Sequence, residues 1–175
     1  MTAPEQEIRI RPATAADVPE ILEIVQAAYR GEGGWTTEAG LVRGQRADAA
    51  EVHGLLTDPA VRLLVAVDTE DRIRGCCYTR RGAEGAELGL FAVDPRAQGG
   101  GIGGRLLEQQ AQNLSAAGVP RLILQVLQGR HELHAWYRRH GFEPTGRTLP
   151  FPVDPALLAD PTLRMDEMVR PLHIP

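Results

Sequence analysis

Apolar and polar residues alternate at Ile8-Arg9-Ile10-Arg11, a short strand pattern that Pro12 ends. Thr14 follows as an N-cap, with Asp17 as its capping-box partner. Val18, Ile21, Leu22, Val25 and Ala28 recur at helical spacing, which predicts a first helix to about Tyr29. Arg30 to Gly34 is glycine-rich and reads as loop, and Thr37 to Leu56 as mostly helical, broken near Gly40 or Gly44 and ending before Asp58-Pro59. Three apolar runs come next, Val61 to Val67, Ile73 to Thr79 and Leu88 to Val93. The turn residues Thr69-Glu70-Asp71 separate the first two, and a polar, glycine-containing loop from Arg80 to Gly85 the last two. Such a succession predicts an antiparallel meander.

The period then lengthens. Ile102, Leu106, Leu107, Gln110 and Leu114 share a helical face, with Gly118 placed to end the helix in a left-handed conformation. Arg121 to Leu127 is a strand core, and Glu132 to His140 a short helix ending at Gly141. A strand, a helix and a strand in succession predict a local parallel pairing. Phe142 to Thr148 and Leu163 to Val169 read as closing strands across a loop that holds Pro150, Pro152, Pro155 and Pro161. The whole pattern is that of a three-layer α/β fold with a mixed central sheet, a single domain over residues 1–175 with its core from about 8 to 172.

Composition narrows the function. A chain of 175 residues buries about two-thirds of its unfolded surface and needs no covalent staple. A net charge of −4 argues against a nucleic-acid groove. All 19 basic residues are arginine, which reads as compositional bias. The two cysteines, Cys76 and Cys77, are adjacent, so neither a disulfide framework nor zinc spacing is present. Met1 to Glu7 is polar and acidic, without the pattern of a signal peptide, and no apolar run approaches the roughly 20 residues that span a bilayer. A cytoplasmic protein without a membrane partner is the expectation.

The most informative segment is Val93-Asp94-Pro95-Arg96-Ala97-Gln98-Gly99-Gly100-Gly101-Ile102-Gly103-Gly104. A helix opens directly behind its glycines, and a helix start offers unpaired N–H groups and the positive end of a dipole. Glycines let a ligand approach the backbone closely. Together they suit a diphosphate. A merely flexible loop would lose ordering entropy for no gain. Gly99, Gly101 and Gly104 also satisfy the dinucleotide fingerprint, but five residues separate them from the strand and Leu122-Ile123-Leu124-Gln125-Val126 ends on no acid. No Gly-Lys-Ser/Thr follows, which excludes a P-loop.

Gln98-x-x-Gly101-x-Gly103, preceded by Leu90-Phe91-Ala92-Val93-Asp94-Pro95, resembles the (Arg/Gln)-x-x-Gly-x-(Gly/Ala) motif of the Gcn5-related N-acetyltransferases. Tyr137, Gly141 and Phe142 are similar to that family's later Tyr-x-x-x-Gly-Phe element, whereas Arg130 stands where asparagine is usual and Leu133 where alanine is. The resemblance covers most of the chain from Ile8 to Leu172. It implies a mixed, mostly antiparallel sheet flanked by helices, with a splayed parallel strand pair, and acetyl-CoA as co-substrate without a metal. It further implies that Phe91, Ala92 and Val93 pair with the pantetheine arm as an added strand, that Gln98, Gly99, Gly100, Gly101, Ile102, Gly103 and Gly104 hold the diphosphate, and that an N–H near Leu90 or Phe91 polarises the acetyl carbonyl.

Amine attack on a thioester releases a thiolate that needs a proton, and a phenol is a suitable donor, which makes Tyr137 the candidate acid. A tyrosine that only packs its helix is the alternative. Glu87 opens the strand that would line the acetyl group and is the candidate base, with a solvated strand end and water-mediated deprotonation as alternatives. Tyr29 and Trp35 flank the expected acceptor side, Trp35 as an aromatic on a loop. His131 and His134 lack a third metal ligand in the sequence and read as surface or pocket residues. The expected reaction is acetyl transfer to a primary amine, small molecule or peptide, with a homodimer left open; the rival from another class is a silent acyl-CoA-binding module on the same fold.

Overall fold

The computed structural model describes residues 7–30, 47–97, 99–151, 156 and 162–175, with only the backbone of Tyr29 and Arg30. In chain order its elements are β1 (Arg9–Pro12), α1 (Val18–Arg30), α2 (Ala49–Thr57), β2 (Val61–Val67), β3 (Ile73–Gly82), β4 (Gly85–Val93), α3 (Ile102–Ala116), β5 (Arg121–Leu127), α4 (His131–Arg139), β6 (Glu143–Pro150) and β7 (Arg164–Pro171). The strands form one sheet in the order β1-β2-β3-β4-β5-β7-β6. Every neighbouring pair is antiparallel except β4 with β5. The expected mixed sheet with one parallel pair is therefore the observed architecture.

Two cores lie on opposite faces of the sheet. Strand alternation sends Leu63, Val65 and Val67 of β2 toward α1 and α2, where Val18, Ile21, Ile24, Val25 and Val52 wait. Leu64 and Ala66 point the other way, toward Ile102, Leu106, Leu107 and Leu114 of α3. Leu133, Trp136 and Tyr137 of α4 pack on that same second face. Cys76 and Cys77 follow the same alternation, one in each core, so the adjacent thiols face away from each other. Burial pushes the Cys76 thiol up to about 12 and raises Cys77 as well, which leaves both as inert core residues. Gln110, fully buried on the apolar face of α3, donates to the carbonyls of Arg62 at 3.0 Å and Cys77 at 3.1 Å and accepts from Thr79.

One sequence reading needs correction. The loop expected from Arg80 to Gly85 is a tight hairpin: β3 runs through Arg80 and Arg81 to Gly82, which pairs directly with Gly85. Polar residues are compatible with an exposed strand end, and their polarity is what concealed it. Of the helix expected from Thr37 to Leu56, the described part is α2, capped by Asp48, whose carboxylate accepts the Glu51 N–H at 2.9 Å; residues 31–46 lie outside the described residues.

A network of buried charge fixes the far end of β4. Arg74 donates through Nε to Asp68 at 2.8 Å and through Nη1 to Asp94 at 3.1 Å. Asp68 also accepts the N–H groups of Glu70 and Arg72, and Asp94 those of Arg96. Burial pushes both carboxyls up, but these donors together hold them below the usual carboxylate range. The stability they contribute is complete above the unfolded carboxylate range and is lost as pH falls through the depressed values. Arg74→Met leaves Asp68 without a cation and Asp94 with the exposed Arg96 alone, and should cost about 3 kcal/mol at neutral pH. That deficit should shrink in acid, because stranded carboxyls protonate more readily in the folded state. Urea unfolding at neutral and acidic pH checks this; a deficit that does not change with pH contradicts it.

Candidate active site

The parallel pair β4·β5 is held by only two register positions, Ala86 opposite Leu122 and Glu87 opposite Ile123. Both strands continue well past that point, so a wedge opens between them. At its apex Gly85 adopts φ +145°, and a Cβ there would lie 2.7 Å from the Arg121 carbonyl oxygen. Only glycine lets the strands close so tightly.

On its other side β4 carries a bulge. Tyr78 pairs with Gly89 and Cys76 with Ala92, so Leu90 and Phe91 stand opposite Cys77 alone. Leu90 takes φ +47°, and its carbonyl accepts the Cys76 thiol at 3.4 Å. The extra residue switches which face each side chain occupies. Ala86 and Leu88 face α3, Leu90 and Ala92 face α1, and Phe91 and Val93 return to the α3 side.

Phe91 thereby meets two side chains of α4, with ring centroids 5.8 Å from Trp136 and 6.3 Å from Tyr137. Tyr137 also packs edge-on against buried Phe142 at 5.6 Å, which fixes its ring. Trp136 stacks on His140 at 3.9 Å. Beside these rings the chain leaves β4 through a short turn at Pro95–Ala97 and opens α3 with Gly101 as its N-cap at φ +75°. Gly104 lets α3 approach α4, since a Cβ there would sit 3.2 Å from His140 Nε2, while Gly103 lies against Phe91 and Trp136 with room for ordinary contact, a Cβ sitting 3.5 Å from each. The first turn of α3 carries no acid. Its N–H groups thus face a space suited to an anion.

A cleft of about 630 Å³ occupies the other side of the wedge, lined by Glu87 to Phe91 of β4, Leu124 and Gln125 of β5, Tyr137, Met165 and the wall of α2. Tyr78 and Arg80 of β3 close its rim. The Tyr78 ring lies across Gly89, where a Cβ would come within 2.4 Å of it.

The structure thus gathers Glu87, Phe91 and Tyr137 around one cleft. Ala92 is on the α1 side of the sheet, beneath the cleft floor. Glu87 is exposed and lies two residues into β4 rather than at its opening, with no hydrogen bond or ion pair among the described residues. Gln98 and Trp35 lie outside the described residues, as does the side chain of Tyr29. His134 is anchored, Nδ1 to the Arg130 carbonyl at 2.8 Å and Nε2 to Asp166 at 3.1 Å. Among the described residues no group of three or more His, Cys, Asp or Glu could hold a metal, and no helix is long and apolar enough to cross a membrane. Sequence reasoning passed over Tyr78, Gly89, Arg80 and Trp136; the bulge that assembles them has no periodic signature.

Residues 59–144 match the family model described as an acetyltransferase (GNAT) domain. An IAA acetyltransferase of Azospirillum brasilense is 35% identical over 105 residues, 59% of this chain and 68% of that protein. A mycothiol acetyltransferase of Mycobacterium sp. (strain MCS) is 32% identical over 136 residues, 73% of this chain but 42% of the relative, so the chain spans less than half of that protein's length. The ribosomal-protein-S18-alanine N-acetyltransferase from Escherichia coli superposes with a TM-score of 0.74 at 18% identity, covering 97% of this chain and 96% of that one. A phosphinothricin acetyltransferase from Sinorhizobium meliloti, solved in complex with AcCoA, superposes with a TM-score of 0.71 at 23% identity, covering 95% and 89%. Both likenesses show a shared fold.

The wedge apex yields a direct test. Gly85→Ala forces a side chain onto the Arg121 backbone and should destabilise the protein by about 1–3 kcal/mol. Thermal unfolding reads the loss, and an unchanged midpoint would show that the strands do not need this close approach.

Proposed function

Because this chain belongs to the Gcn5-related N-acetyltransferase (GNAT) family, we propose that it moves acetyl from acetyl-CoA to a primary amine by direct attack in the wedge. The observation that carries this reading is that the bulged strand β4 and the half-buried Tyr137 meet at one cleft, with the glycine-rich start of α3 packed beside them against Phe91 and Trp136.

The residues present fit the co-substrate. Gly99 and Gly101, both at positive φ, have open space beside them, and the N–H groups around Gly101 to Gly104 are the natural seat of the diphosphate. Gln98 belongs to the same proposed cradle. The pantetheine arm would lie along Phe91, Ala92 and Val93 as an added strand, bringing the thioester into the cleft beside Leu90. The thioester supplies an activated acyl carbon. An N–H near Leu90 would face the developing oxyanion. Tyr137 would donate its phenolic proton to the departing sulfur as the carbon–sulfur bond breaks, and Glu87, or water ordered by it, would take the proton lost by the amine as the new carbon–nitrogen bond forms. Tyr29 and Trp35 are proposed for the acceptor side. A cytoplasmic location and the absence of a metal belong to the same reading.

Mutations separate the roles. Gly101→Asp or Gly103→Glu places a like charge in the cradle and should abolish acetyl-CoA binding measured by calorimetry; unchanged affinity in a folded variant removes the cradle. Tyr137→Phe should lower kcat by about 10²–10⁴-fold while leaving acetyl-CoA affinity near normal. Wild-type kcat in that variant would leave Tyr137 with packing alone. Glu87→Gln should lose rate by a factor that shrinks as pH rises, because more of the amine is then already neutral. A rise in KM at constant kcat would instead assign Glu87 to binding, and no change in either would leave deprotonation to solvent. Free-thiol release across an amine panel tests the whole reading: acetyl-CoA binding without release from any amine identifies a silent binding module.

A further inference from the structure

Arg80 and Glu87 are Cα partners across β3 and β4, the placement in which opposite charges ordinarily close on each other. They do not: among the described residues Glu87 has no ion pair, and Arg80 is turned elsewhere. The Arg80 Nε faces Asp58 Oδ2 at 3.4 Å, and its guanidinium carbon lies 5.5 Å from the centre of the Tyr78 ring. Asp58 is itself fixed, because its Oδ1 accepts the Ala60 N–H at 2.9 Å in the turn that ends α2. Arg80 is thus pinned by its Nε edge and one face. Its Nη atoms make no hydrogen bond among the described residues, and 45% of its side chain is exposed. Arg80 and Glu87 both line the cleft that holds Tyr137. Two opposite charges are therefore held apart on one wall of that cleft.

We propose that the acceptor is an amine carrying a nearby carboxylate-type anion, with Arg80 holding the anion and Glu87 the ammonium. The proposal rests on the acetyl-transfer reading above and names its substrate class. A guanidinium held along one edge keeps its other edge for a carboxylate, a strong and directional contact. A plain amine would use only Glu87. A diamine would bring its second cation toward Arg80, and the remaining carboxylate of the lining, Glu51, already takes the Asp48 N–H at 3.4 Å. The zwitterion uses both the exposed Nη edge of Arg80 and the Glu87 carboxylate. In this arrangement Asp58 is a positioning residue: it keeps Arg80 from collapsing onto Glu87.

The test uses matched acceptors, L-leucine with L-leucinamide and L-methionine with L-methioninamide, and putrescine as the dication. Thiol release is followed with kcat/KM corrected to the neutral amine fraction. The free acids should be favoured over their amides by about tenfold, the worth of one good charged contact. Arg80→Gln should bring that ratio close to one. Asp58→Asn keeps the Oδ1 that accepts the Ala60 N–H but removes the charge at Oδ2, and should reduce the ratio while raising KM for the acids. Adding Asp58→Asn to Arg80→Gln should cause no further loss. Glu87→Gln should weaken acids and amides alike. Amides or putrescine preferred by the wild type, or a ratio that survives Arg80→Gln in a variant with normal circular dichroism, would overturn the proposal. Release from none of these amines, nor from any in the wider panel, would overturn the acetyl-transfer reading itself.

Discussion

The extra residue at Leu90 in the β3·β4 ladder decides which face of the sheet Phe91, Ala92 and Val93 occupy. A strand has a side-chain period of two, so one bulged residue exchanges its faces from that point on. Without it, Leu90 and Ala92 would continue the face of Ala86 and Leu88, and Phe91 would lie away from α4. With it, Phe91 turns to Trp136 and Tyr137, while Leu90 presents strained backbone at the cleft. A non-glycine residue at φ +47° is costly, and the surrounding core has to hold it there. The buried Cys76 thiol does part of this by donating to the Leu90 carbonyl.

Two further constraints make the bulge useful. At one end, Gly85 packs so closely on Arg121 that β4 and β5 are joined at the apex, yet the ladder ends two residues later. At the other, Arg74 ties Asp94 to Asp68, so the segment leaving β4 enters the glycine loop at a fixed angle. Between these anchors the strand is positioned along its length, and the start of α3 is brought beside the aromatic side chains of α4. The proposed chemistry needs this rigidity, because an acid and an incoming amine must meet one carbonyl carbon within a few tenths of an ångström.

Much of this was legible in the residues. The strand runs at Val61 to Val67 and Arg121 to Leu127 match the observed strands residue for residue, because buried strands are marked by continuous apolar character. The helical face of α3, including Gln110, was visible because a polar residue with partners for all its donors can sit at a core position. The glycines from 99 to 104 marked the loop, and at Gly99 and Gly101 a positive φ strains any other residue. The acceptor side was less legible. Arg80, Tyr78 and Asp58 come from three different elements, and their meeting is a product of strand register and of the α2 turn. The bulge was invisible for a related reason: Leu90 continues an apolar run, and nothing in its chemistry announces φ +47°.

The account depends on acetyl-CoA entering the wedge that the bulge creates. A crystal structure of the chain with CoA tests that most directly. The account predicts the diphosphate on the amides of Gly99 to Gly104, the pantetheine arm along Phe91 to Val93 and the thiol in the cleft beside Leu90 and Phe91, within reach of the Tyr137 hydroxyl. A CoA molecule held elsewhere, or one whose thiol lies away from Tyr137, would contradict it.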